Sequence, residues 1–189
     1  MLSYILPFIV LILIVVFIHE YGHYSVAMGD ECSAIGENSV AMGGYSFAMG
    51  KSSFSMGDSC TANGNYSFTI GNGSFANGKA SVALGDRCKA MGTYSVAMGY
   101  YSVANGQYSF AMGDECHAKG TYSVAMGDGS FANGAASVAM GGVCIANGVG
   151  SVAMGGSSNA GGSYSVALGS NCQTHGNLSF AMGGSSIAN

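Results

Sequence analysis

The sequence has no tryptophan, one proline and little charge: 7% of its 189 residues are Asp, Glu, Lys or Arg. With so few charges, surface ion pairs contribute little to solubility. Five basic side chains against nine acidic ones, a net charge of −4, leave no basic stripe of the kind nucleic-acid binding needs. What is abundant is glycine, with 32 residues, and methionine, with 12. Glycine at that level with almost no proline excludes collagen and ordinary disordered linkers. The remaining source of such bias is a short internal repeat.

The chain divides into two unequal parts. Residues 1–18, MLSYILPFIVLILIVVFI, carry no charged side chain, and every residue from Phe8 to Ile18 is apolar. The run is too long and uniform for a strand and has no polar face. It reaches the roughly 20 residues of a membrane helix only by continuing toward Tyr24. A signal peptide is the competing reading, but the basic start and the small-x-small cleavage site are missing. A buried segment is the third. The expectation is one apolar, membrane-embedded α-helix over residues 1–23.

From residue 22 the organisation changes. Gly recurs at every seventh position from Gly22 to Gly183. Two residues before each Gly from Gly29 on stands Ala, replaced only by Ser55, Thr69 and Thr174. Four before it stands Ser or Cys without exception. A period of seven suggests a coiled coil. A Gly in every heptad opposes that, at about 1 kcal/mol each relative to Ala in a helix. Val, Phe, Tyr and Ser favour strands and turns, and Asn-Gly, Gly-Asp and Gly-Gly pairs mark corners. Each heptad therefore reads as a four-residue strand, Ser-Val-Ala-Met, followed by a Gly-led corner.

Strand side chains alternate between faces, so Ser/Cys and Ala share one face in every heptad. The other face alternates between two kinds. In heptads ending at Gly29, Gly43, Gly57 and every 14 residues after, it carries Val or Phe, then Met, Leu or Ile. In the intervening heptads it is mixed, with Ser33, Thr61, Lys89, His117, Asn159 and Gln173 among Phe, Val and Ile. The true unit is thus a flattened coil of 14 residues with two strands per turn. Its interior admits only small side chains, so both outer faces point away. About twelve coils, stacked at about 4.8 Å, give a rod of roughly 55–60 Å. One side is a continuous Val/Phe-Met wall, larger than a soluble monomer normally exposes. The other shows no convergent cluster that marks a site. The chain stops at Asn189, one residue before the next Gly, which reads as truncation because solenoids normally finish on a capping unit.

The segment YSVAMGDECSAIGENSVAMGGYSFAMG resembles the head-domain repeats of trimeric autotransporter adhesins, the YadA-like family. The resemblance covers residues 24–189. It implies an all-β fold, a left-handed parallel β-roll or β-solenoid with 14-residue coils, here preceded by the apolar N-terminal helix. It also implies a homotrimer associating along the apolar sides. The wall residues expected at that interface are Val26, Met28, Val40, Met42, Val82, Leu84, Val96, Met98, Phe110, Met112, Val124, Met126, Val138, Met140, Val152, Met154, Val166, Leu168, Phe180 and Met182. The implied function is adhesion to a host-surface or matrix ligand at the bacterial surface or outer membrane, with no cofactor for the roll. Met stands where the family more often has Ile, and no stalk or membrane barrel follows in this sequence. A monomeric solenoid binding a repetitive ligand is an alternative that solution mass distinguishes.

Six cysteines, Cys32, Cys60, Cys88, Cys116, Cys144 and Cys172, lie 28 residues apart, one for every second coil. Two coils separate neighbours by about 9.5 Å, beyond the roughly 7 Å that a disulfide spans between Cα atoms. Each replaces Ser at an inward small site, which predicts packed, unpaired thiols. Bridges between chains would require those sites to face a three-fold axis.

His19, Glu20 and His23 match H-E-x-x-H. On a helix the two histidines share a face and can bind zinc, with Glu20 as general base toward a bound water. LILIVVFIHEYGHY resembles the first membrane helix of site-2 proteases, which implies an inner-membrane location and zinc at His19 and His23. In that family the third ligand is an Asp from a later membrane segment. Here Asp30, Asp58, Asp86, Asp114 and Asp128 all fall at repeat corners, and His117 and His175 take outward positions. Zinc catalysis needs three protein ligands, and no third is identifiable. The expectation is an inherited signature without activity, joined to the repeat at the string HYSVA, which satisfies both patterns.

Overall fold

The computed structural model describes residues 24–189. The helix expected over residues 1–23, with His19, Glu20 and His23, lies outside the described residues. Within them the chain is an all-β parallel solenoid of twelve turns, each turn giving one strand to each of two 12-stranded sheets. One sheet runs from β1 (Val26–Met28) through every second strand to β23 (Phe180–Gly184). The other runs from β2 (Ser33–Ala34) to β24 (Ile187–Ala188). Each strand residue pairs with its equivalent in a neighbouring coil: Val82 with Val96, Ala83 with Ala97, Leu84 with Met98. Register follows from the 14-residue repeat, because a slip of one residue would turn Ala and Ser outward and Met inward.

The strands are not the equal four-residue units expected from the heptad. In the first sheet most have five residues, as in β9 (Val82–Asp86). In the second each has two, as in β10 (Lys89–Ala90). Hydrogen bonding at the glycines explains the difference. Within a long strand, Gly85 takes φ +126°, and pairing continues through Gly85↔Gly99 and Asp86↔Tyr100. After a short strand, the N–H groups of Met91 and Gly92 both donate to the Ala104 carbonyl, at 2.8 and 3.2 Å. That doubled donation ends the ladder and starts the corner.

The interior is as narrow as the repeat demands. Ala at the central strand position is fully buried from Ala41 to Ala167, and Ser or Cys beside it is almost equally so. The largest fully buried side chains are Thr69 and Thr174, followed by the cysteines. Nothing bulkier fits between the sheets, so the solenoid is held by backbone ladders and small-residue packing. The large apolar side chains all project outward.

One residue in every heptad adopts a left-handed conformation just before the inward Ser or Cys. Tyr94 has φ 57°, Tyr101 φ 49° and Val143 φ 55°. The Tyr94 N–H donates to Lys79 O at 2.8 Å, and Ser95 N–H to Gly92 O at 3.1 Å. The corner therefore bonds both to the coil before it and to itself, which compensates for a conformation costly to a non-glycine residue.

Candidate functional site

The outer face of the long sheet carries two in-register columns. Val96 pairs with Phe110 and Met98 with Met112; Val138 pairs with Val152 and Met140 with Met154. The residues expected at the interface from Val26 to Met182 stand in these columns. So do Phe54, Met56, Phe68 and Ile70, which that set omits although the heptad pattern includes them. Phe54 and Phe68 stack with centroids 4.9 Å apart. Each wall side chain is shielded by its neighbours along the column but open outward, whereas the Ala between the two columns is sealed. This face is therefore only half-buried in the single chain.

The short sheet presents a different surface. Asn63 and Asn77 bond side chain to side chain at 3.0 Å, and Asn133 and Asn147 at 2.7 Å. His117 stacks on Phe131 at 4.9 Å. Partial burial first, and Lys119 second, hold the His117 imidazole below its ordinary pKa, with Glu115 opposing. A neutral ring stacked on Phe131 is consistent with surface packing. His175 is exposed. Asp30, Asp58, Asp114 and Asp128 lie exposed at corners and Asp86 is half-buried. Among the described residues no group of His, Cys, Asp and Glu converges on a point where a metal could sit.

The corners add aromatic order that the seven-residue pattern does not reveal. Tyr94, Tyr108 and Tyr122 stack at 5.1 and 5.0 Å with planes within 3° of parallel. At the opposite corner the Arg87 guanidinium lies over the Tyr101 ring, 5.1 Å from its centroid, and hydrogen-bonds its hydroxyl. Arg87, Lys89, Phe75 and Tyr101 line a common hollow. The sequence concealed it because Arg87 and Tyr101 occupy corner positions and Phe75 and Lys89 strand positions. Nothing in the linear pattern says that these two classes open toward the same side.

All six cysteines are free, and five are buried. Each buried thiol donates to a glycine carbonyl of the next coil: Cys60 to Gly71, Cys88 to Gly99, Cys116 to Gly127, Cys144 to Gly155 and Cys172 to Gly183, at 3.1–3.3 Å. In the coils between, Ser46, Ser74, Ser102, Ser130 and Ser158 make the same bond at 2.9–3.0 Å. Burial pushes the thiols of Cys60, Cys88 and Cys116 up, so they stay protonated donors.

A parallel β-solenoid with a sealed small-residue interior and one continuous apolar outer face is a repeat scaffold whose larger side chains are displayed on its outer surfaces. The profile of the YadA head domain repeat matches residues 21–46, 62–87, 90–115, 118–142 and 146–171. These segments make up more than half of the chain, and the chain belongs to the YadA head domain repeat family. The first match begins at residue 21, three residues before the repeat start read from the sequence. No curated protein sequence matches the chain.

Proposed function

We propose that this protein is the head of a trimeric surface adhesin, in which three rods pack along their Val/Phe-Met walls and present the short sheets and corners outward. The observation that carries this reading is the unpartnered apolar wall on the long sheet, unbroken from coil to coil and lying outside a sealed interior. Burying it removes from water a surface larger than monomers usually expose. The YadA-like resemblance supplies the three-fold stoichiometry, the left-handed sense of the coil and the bacterial-surface location. On this reading Val26 to Met182 of the expected interface, with Phe54, Met56, Phe68 and Ile70, form the trimer contact. Residues 24–189 are the head and residues 1–23 a separate membrane-associated segment. The bound partner is a host-surface or matrix ligand.

Sedimentation equilibrium of the full chain in mild detergent tests the assembly. The expected mass is three times the 18.9 kDa of one chain. A single-chain mass at all concentrations would sink the trimer and favour a monomeric solenoid that binds a repetitive ligand.

A further inference from the structure

Two adjoining hollows open on the outer face of the short sheet. One, of about 300 Å³, is lined by Gly73, Phe75, Arg87, Lys89 and Tyr101. The other, of about 260 Å³, is lined by Phe75, Asn77, Lys89 and Met91. They share Phe75 and Lys89 and form one groove. Its origin is local. Down this corner the successive coils carry Ser59, Gly73, Arg87 and Tyr101, and Gly73 contributes no side chain. An added Cβ there would meet Arg87 Cγ at 3.4 Å, so the vacant space lies directly beside the arginine. Phe75 and Lys89 are register partners on neighbouring short strands, and both line the two hollows.

The charges in the groove are unusual for this chain. Five Lys and Arg serve the whole sequence against nine Asp and Glu, yet two of the five line one hollow. Lys51, by contrast, pairs with Glu37 at 3.0 Å, and Lys119 lies over Phe131. Arg87 stacks on Tyr101 and hydrogen-bonds its hydroxyl, its one carboxylate contact among the described residues is a 3.9 Å approach of Nε to Asp86, and Lys89 makes no ion pair among the described residues. The carboxylates that oppose an anion here are Asp86, beside Arg87, and Glu115, one coil beyond Tyr101 on the same corner. Neither lines the groove.

We infer that this groove binds an anionic saccharide. Arg87 and Lys89 hold a sulfate or carboxylate by charge-assisted hydrogen bonds. The exposed Phe75 ring covers the C–H face of the sugar, giving a ligand with an apolar side an advantage over a bare ion, while Tyr101 holds the Arg87 guanidinium in place. A nucleic acid fits less well, because it needs a basic stripe along the rod and the chain's net charge is −4. The groove lies on the short sheet, away from the wall. Its exposure in the assembled protein rests on the trimer reading above, and its chemistry does not.

The test uses the full chain at about 0.15 M salt, where long-range charge effects are screened. The probes are a fluorescent heparin hexasaccharide, bearing sulfate and carboxylate, and a hyaluronan hexasaccharide, bearing carboxylate alone. Saturable binding of either is expected, and the preferred probe identifies the anion. The double variant Arg87→Ser with Lys89→Thr should weaken it about tenfold or more, equivalent to about 1.4 kcal/mol. Phe75→Thr should also weaken it while leaving the charge intact. These changes install Ser and Thr, the residues the fold already carries at Ser59 and Thr61, in register with these positions. Lys51→Gln and Lys119→Gln should leave binding within about twofold, as expected of exposed charges elsewhere.

The inference is overturned by absence of saturable binding or by an equal loss in Lys119→Gln. Competition by inorganic sulfate as effective as by the hexasaccharide, or tighter binding of an oligothymidine, overturns it as well. Sedimentation of the same sample keeps the two readings apart. Trimers without saccharide binding sink the groove alone, and binding by a monomer sinks the trimer alone.

Discussion

At Gly106 an added Cβ would lie 1.9 Å from the Gly120 carbonyl oxygen. The obstacle is backbone of the next coil, which cannot move without breaking the ladder. Gly106→Ala should therefore destabilise the protein by about 3 kcal/mol or more, read from denaturant midpoints. At Gly142 nothing lies within 4 Å of an added Cβ, and Gly142→Ala should change stability by no more than about 0.5 kcal/mol. Gly106 holds the seven-residue position and Gly142 does not: from Gly29 to Gly176 an added Cβ at every seventh-position glycine would meet backbone of the next coil at under 3 Å. Val143 poses the opposite problem. It is β-branched, with φ 55°, where a left-handed backbone costs about 1–2 kcal/mol. The equivalent residue two coils on is Asn171, with the same φ. Val143→Asn should raise stability by about 1 kcal/mol, and a lower midpoint would mean that Val143 makes an apolar contact worth more than the strain.

The element that the repeat builds most regularly is the inward column of alternating Ser and Cys. Both side chains donate to the same glycine carbonyl, the hydroxyl at 2.9–3.0 Å and the thiol at 3.1–3.3 Å. Replacing Cys60, Cys88, Cys116, Cys144 and Cys172 with Ser should cost no more than about 1 kcal/mol per site, checked by denaturant unfolding under reducing conditions. In the native protein a thiol reagent should react with half-buried Cys32 first and reach the five buried thiols only on unfolding. Fast labelling of all six would overturn the sealed interior. The position and burial of this column were legible in the sequence, because Cys takes the Ser position of an alternating strand. Its hydrogen bonds were not legible, since the acceptor is a backbone group 11 residues away.

For the whole molecule, the proposed assembly turns on the apolar wall. Its residues are half-exposed in one chain while the interior is complete without them. On the proposed trimer reading, replacing Val96, Val124 and Val152 with Asp should dissociate the assembly and leave the β circular dichroism of the folded coils in place. Trimers that survive in sedimentation would place the contact on another face. Loss of the β signal would show that the wall contributes to folding the single chain.

The sequence alone determined the coil length, the inward and outward faces, the register and the family, because each follows from a strict period acting on strand alternation. Ser39 to Ser165 and Cys60 to Cys172 could be placed inside simply by counting, and they are buried. Tertiary structure decided what the period leaves equal. It made one sheet's strands long and the other's short, through the paired donors of Met91 and Gly92 on Ala104. It set the left-handed corners through bonds between successive coils, and it opened a groove where Gly73 leaves Arg87, Lys89 and Phe75 uncovered. These outcomes depend on contacts between residues 14 or so apart in sequence and adjacent in space. A heptad read along the chain assigns faces but does not bring the coils together.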